Sequence, residues 1–142
     1  MEALNLLDER EVLQRLKTLE YVLEQRKKNR GIEYYIPNPS QFKAHKSVAE
    51  MILFCGGNRS GKSTLGAAEL AWHLTRKYPD WFPKERKFYR PIKAVVVATE
   101  NPIIDKVIWP KISAYLPTDY IAEVRKISGG YVSKITCKDG ST

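Results

Sequence analysis

The sequence predicts an α/β domain in which a parallel sheet is flanked by helices, and three observations carry that reading. Residues 51–55 form an unbroken apolar run, Met-Ile-Leu-Phe-Cys, of the kind found in a strand buried on both faces. A glycine-rich loop follows, and then a helical pattern from Lys62 to about Lys77 with Leu65, Ala68, Ala71, Trp72 and Leu74 on one side. A second apolar run, Ala-Val-Val-Val-Ala, occupies residues 94–98. Strand, loop, helix and strand in this order define a βαβ unit, which requires a parallel pair and a right-handed crossover.

The elements on either side can be justified in turn. Asn5 can cap a helix, with Asp8 three positions on. Leu6, Leu13, Leu16, Leu19 and Leu23 then recur at helical spacing to about Lys28, where Arg26, Lys27, Lys28 and Arg30 suit the negative end of the helix dipole. This apolar stripe must pack on the rest of the chain or on a neighbouring subunit. Gly31 stops the helix, and Pro37 and Pro39 mark an extended linker over residues 34–40. A short amphipathic helix is predicted over residues 41–50. The chain thus divides into a helical arm and linker, residues 1–36, and a domain over residues 37–142.

After the second apolar run, Thr99 or Asn101 can cap a helix with Pro102 in its first turn. Pro110 interrupts that helix, and Leu116-Pro117 ends it. Residues 121–127 and 131–137 read as strands joined by Ser128-Gly129-Gly130, a hairpin signal, with a second turn at Lys138-Asp139-Gly140. A further strand is expected after Thr142.

Composition narrows the function classes. The chain has 142 residues, a net charge of +8 and 43% hydrophobic residues, which fits a globular domain drawn to polyanions such as nucleic acid or nucleotide. Membrane spans and a signal peptide are not expected, since neither a long apolar stretch nor a basic-then-apolar N-terminus is present. Cys55 and Cys137 lack metal-ligand spacing. Cys55, at the end of an apolar run, is expected to be a buried thiol in a reducing compartment.

Gly56-Gly57-Asn58-Arg59-Ser60-Gly61-Lys62-Ser63 satisfies the phosphate-loop pattern G-x-x-x-x-G-K-[ST]. A chance match in a chain of this length is roughly a one-in-two-hundred event. The glycines let successive backbone N–H groups turn toward phosphate oxygens, and the helix that starts near Lys62 adds the positive end of its dipole. Lys62 supplies a mobile charge for the β- and γ-phosphates of ATP, and the Ser63 hydroxyl a ligand for Mg²⁺. Thr64 is expected near the α-phosphate. Arg59 is not required by the pattern; it is either a cation beside the γ-phosphate or a solvent-facing loop residue. Hydrolysis also needs an acid after a buried strand, and Glu100 is the one candidate. It is read first as a helix-start residue, so the chain is expected to bind nucleotide with little turnover.

The loop wording, followed by Gly66-Ala67-Ala68-Glu69, resembles the large terminase subunit of tailed bacteriophages. So does the segment Pro39-Ser40-Gln41-Phe42 with His45, which is similar to that family's adenine-recognition segment and makes Gln41 a candidate reader of the base. The likeness runs from about Pro37 to the end of the chain. It implies a P-loop NTPase fold of the additional-strand, catalytic-glutamate type, here incomplete, with an N-terminal helical arm and a C-terminal β-hairpin. It also implies an ATP-driven motor that packages double-stranded DNA into procapsids in the host cytoplasm. Such a motor works as a homo-oligomeric ring with portal and small terminase subunits as partners. In that family the acidic strand motif and the nuclease domain follow the region matched here, and a neighbouring subunit supplies an arginine, for which Arg125 is a candidate. The alternatives are another nucleic-acid-dependent ATPase of helicase or recombinase type, and a P-loop kinase of small metabolites. The long segment before the loop favours the motors.

Overall fold

The computed structural model describes residues 9–29 and 31–142, with side chains from Glu11 to Arg26 and from Gly31 onward. The elements in order are α1 (Glu9–Asn29), a 3₁₀ turn (Gly31–Tyr34), α2 (Pro39–His45), α3 (Lys62–Thr75) and a 3₁₀ turn (Lys84–Arg86). Then come α4 (Asn101–Ile103), a π-helical segment (Ile104–Ile108), α5 (Trp109–Tyr115), a 3₁₀ turn (Thr118–Tyr120), β1 (Ile121–Lys126) and β2 (Val132–Cys137).

Helix α3 is the centre of the molecule, because its small residues let neighbours approach on two sides. On one side Ala68, Ala71 and Trp72 bury against Ile32 and Phe82, with Tyr35, Tyr78, Trp81 and Tyr115 around them. On the other, Ala67 and Leu74 bury against Ile112 and Leu116 of the α5 region and Cys137 of β2. Gly31 is a requirement of this packing rather than only a helix stop: a Cβ there would lie 1.8 Å from the Ala114 carbonyl oxygen. The α4–α5 region is one interrupted helix. Trp109 N–H reaches back to the Ile104 carbonyl, a π-type bond, immediately before Pro110, which has no N–H to give.

The expected hairpin is present: β1 and β2 pair antiparallel, with Val124 opposite Ile135 and Arg125 opposite Lys134. Gly129 and Gly130 take positive φ in its turn. Its base is fixed to the end of α3 by Arg76, which pairs with Asp139 at 2.8 Å.

The parallel sheet is not present. Among the described residues the sheet is two-stranded and antiparallel, which does not fit the parallel sheet of a P-loop NTPase. The reason is visible in the two apolar runs. Residues 51–55 and 94–98 form no strand and no backbone hydrogen bond joins them; the bond made by 94–98 is Ala94 N–H to the Thr142 carbonyl. Neither run buries both faces: in the first, Ile52 and Phe54 are half-buried whereas Leu53 is 87% exposed, and in the second Val95, Val96 and Val97 are all exposed, Val97 to 83%. Cys55 is accordingly exposed, contrary to expectation, and Cys137 is the buried cysteine, its thiol pushed up to about 11 by burial first and Asp139 second.

Two other expectations shift. The helix expected at 41–50 is Pro39–His45, started earlier by an Asn38 cap. Helix α1 forms, but Leu13, Leu16, Leu19 and Leu23 remain exposed, so the stripe is uncovered within the chain. The Asn5 cap, Leu6, Asp8 and Arg30 lie outside the described residues, as do the side chains of Lys27 and Lys28.

Candidate functional site: the phosphate loop and its support

The loop before α3 is shaped by two left-handed residues, Arg59 and Gly61. Gly61 sits at the helix N-cap with φ +84°, a left-handed conformation that favours glycine. No side chain caps α3, so the amides of its first turn have neither an intrahelical partner nor a side-chain one. Arg59 is also left-handed, with φ 62°, and exposed. The Lys62 ammonium folds back over the loop and donates to the carbonyls of Gly56 and Gly57, both at 2.7 Å, and to Ser60 Oγ at 3.3 Å. The loop thus holds a cation on its own carbonyls beside a set of unpaired amides. Ser63 is exposed next to Lys62, and Thr64 is half-buried.

A cleft of about 540 Å³ opens beside this helix start, lined by Ser63, Gly66, Glu69, His73, Val96 and Ile112 among others. Glu100 is not in its lining; it is exposed, extended, and caps α4 without a side-chain bond. Among the described residues no group of three His, Cys, Asp or Glu side chains converges as a metal site.

Gln41 is the surprise. It is 4% exposed and both ends of its amide are engaged. Oε1 accepts from Asn38 N–H at 2.9 Å, while Asn38 Oδ1 accepts from Gln41 N–H at 2.9 Å, a reciprocal capping box. Nε2 donates to the Gly61 carbonyl at 3.0 Å. The candidate base reader is thus wedged beneath the phosphate loop.

Helix α2 is held there by a buried polar network centred on Glu69, which sequence reading used only as part of a resemblance. His45, fully buried, places Nδ1 3.1 Å from Glu69 Oε2 and Nε2 3.0 Å from the Tyr35 hydroxyl. Arg86 pairs with Glu69 and donates to the carbonyls of His45 at 3.2 Å and Ser47 at 3.1 Å. His73, one turn after Glu69, lies 3.8 Å from the same carboxylate. The helical spacing of Glu69 and His73 was the available signal; the approach of His45 and Arg86 is long-range and left none. Burial pushes His45 down to about 4, with the charges of Arg86 and His73 adding to the effect. Burial likewise lowers His73 and raises Tyr35 to about 12, with Tyr115 contributing to the latter. His45 is therefore neutral near pH 7, donating from Nδ1 to Glu69 and accepting at Nε2 from Tyr35.

Arg125, the candidate for a trans-acting arginine, is exposed on β1 and bonded at 2.8 Å to Glu123 of its own strand. Among the described residues no helix is long and apolar enough to cross a membrane. No protein-family model, curated protein or solved structure matches the chain.

Proposed function

We propose that residues Gly56–Ser63 bind the phosphates of ATP with Mg²⁺, and that the chain is the nucleotide-binding part of a motor that packages viral double-stranded DNA in the host cytoplasm. The observation that carries the nucleotide reading is the Lys62 ammonium, resting on the Gly56 and Gly57 carbonyls at the uncapped start of α3. A phosphate oxygen could take over that ammonium and the free amides together. Lys62 and the loop amides would hold the phosphates, Ser63 would ligate Mg²⁺, and Thr64 would stand behind them. Arg59 would add charge at the γ-phosphate. The metal supplies charge neutralisation between the phosphates.

The motor assignment rests on the loop wording and its resemblance to large terminase subunits. From it follow the homo-oligomeric ring and the portal and small-subunit partners; the net charge of +8 agrees with a DNA partner. Glu100, the candidate acid, lies outside the cleft beside Ser63, so the chain should bind ATP with turnover near background.

The test is calorimetric titration of Mg²⁺–ATP into the wild-type chain and Lys62→Ala. Wild type should bind saturably, and the variant should lose on the order of 100-fold or more in affinity. Equal affinities would remove the assignment. Phosphate release at saturating ATP, compared with Glu100→Gln, checks the turnover: robust release lost in that variant would make Glu100 the catalytic acid.

A further inference from the structure

We propose that Gln41 is a strut of the phosphate loop, not a reader of the nucleotide base. This inference rests on the phosphate-site reading above and assigns Gln41 a positioning role within it.

The hydrogen bonds leave Gln41 little freedom to act otherwise. Its Oε1 is held by Asn38 N–H and its Nε2 by the Gly61 carbonyl, both within 3.0 Å. Turning the amide toward a base would break both bonds and leave only the Asn38 half of the α2 capping box. The fit against the loop is close: a Cβ on Gly61 would come 2.5 Å from Gln41 Nε2. Gly61 is the residue whose left-handed turn sets the direction of the first α3 amides, and its carbonyl also accepts the first helical bond, from Leu65 N–H at 2.9 Å. Gln41 therefore acts on the residue that aims the phosphate-facing groups.

The strut is itself braced. His45 ends α2 one turn after Gln41, and it is locked to α3 through Glu69. Arg86 ties the same carboxylate to the carbonyls that end α2. Trp72 and Trp81 close on His45 with ring centroids at 4.9 Å and 6.1 Å. A base-reading side chain needs a polar face turned to solvent; this one has its polar atoms turned to the loop and its surroundings filled.

The two roles separate on a ligand that has phosphates but no base. Mg²⁺–ATP, Mg²⁺–GTP and Mg²⁺–tripolyphosphate would be titrated into the wild-type chain, Gln41→Ala and Gln41→Met, with thermal melts to show that each is folded. Methionine keeps the volume and removes both hydrogen bonds. A strut predicts that all three ligands weaken by a similar factor, on the order of 10-fold, with the ATP/GTP ratio changed less than about 2-fold. Loss confined to ATP, with tripolyphosphate unchanged, overturns the inference and restores Gln41 as a base reader. Unchanged affinities for all three overturn it as well. A wild-type chain that binds none of the three, tripolyphosphate included, would instead remove the phosphate site and this inference with it.

Discussion

The side of α3 that faces α2, and the two apolar runs, solve the same problem in opposite ways. On the first, Trp72, Tyr35, Trp81 and Phe82 pack edge to face, and the Tyr35 hydroxyl joins the His45–Glu69–Arg86 network. In the second, residues 51–55 and 94–98 have no strand partner, and Leu53, Val95 and Val97 stand in solvent. Aromatic rings and side-chain hydrogen bonds can be satisfied by a few residues that meet from anywhere in the chain. An extended backbone cannot, since its N–H and C=O groups require a neighbouring strand along their whole length. The contrast teaches that an apolar run predicts a wish to be buried, and only a paired backbone makes it a strand.

Four measurements would break or sharpen this contrast. The largest effect is expected for Trp72→Ala, which opens a cavity where Tyr35, His45, Trp81 and Phe82 converge. It should cost ~3–5 kcal/mol in chemical denaturation. A cost below about 1 kcal/mol would mean that the packed side is not what holds the domain together.

Glu69→Ala should cost about 3 kcal/mol, because it leaves the buried His45 and the half-buried Arg86 without their shared acceptor. Glu69→Gln keeps an acceptor but loses the charge opposite Arg86, and should fall between wild type and alanine in the same denaturation series.

Acid should act through His45. Its folded pKa, about 4, lies below the ordinary value of 6.5, so between these the unfolded chain binds more protons than the folded one. Stability is full above pH 6.5 and falls as pH drops toward 4, by on the order of 1–2 kcal/mol once solvent screening is allowed for. The facing groups are Glu69, Arg86, His73 and Tyr35, of which His73, also lowered by burial, adds in the same direction. Melting temperatures from pH 7 to 4.5 read this, and His45→Gln should flatten the slope.

The smallest effect is expected on the open side. Leu53→Ser and Val97→Ser replace side chains already exposed, so each should change stability by no more than ~0.5 kcal/mol. A loss several times larger would show these runs to be covered in solution.

The sequence alone determined the glycine turn into α3, the start of that helix, the interruption at Pro110 and the β1–β2 hairpin. Each is a local matter: a glycine that must take positive φ, a proline without an N–H, a turn that returns the chain upon itself. It likewise named Gln41, but by resemblance to a base-reading segment. Only the tertiary structure decided what Gln41 touches, because Gly61 lies twenty positions away and the hydrogen bond between them leaves no local pattern. The same holds for the Glu69 network, which joins residues from Tyr35 to Arg86. It holds for the two apolar runs, whose composition favours strands while their pairing depends on partners that composition does not name.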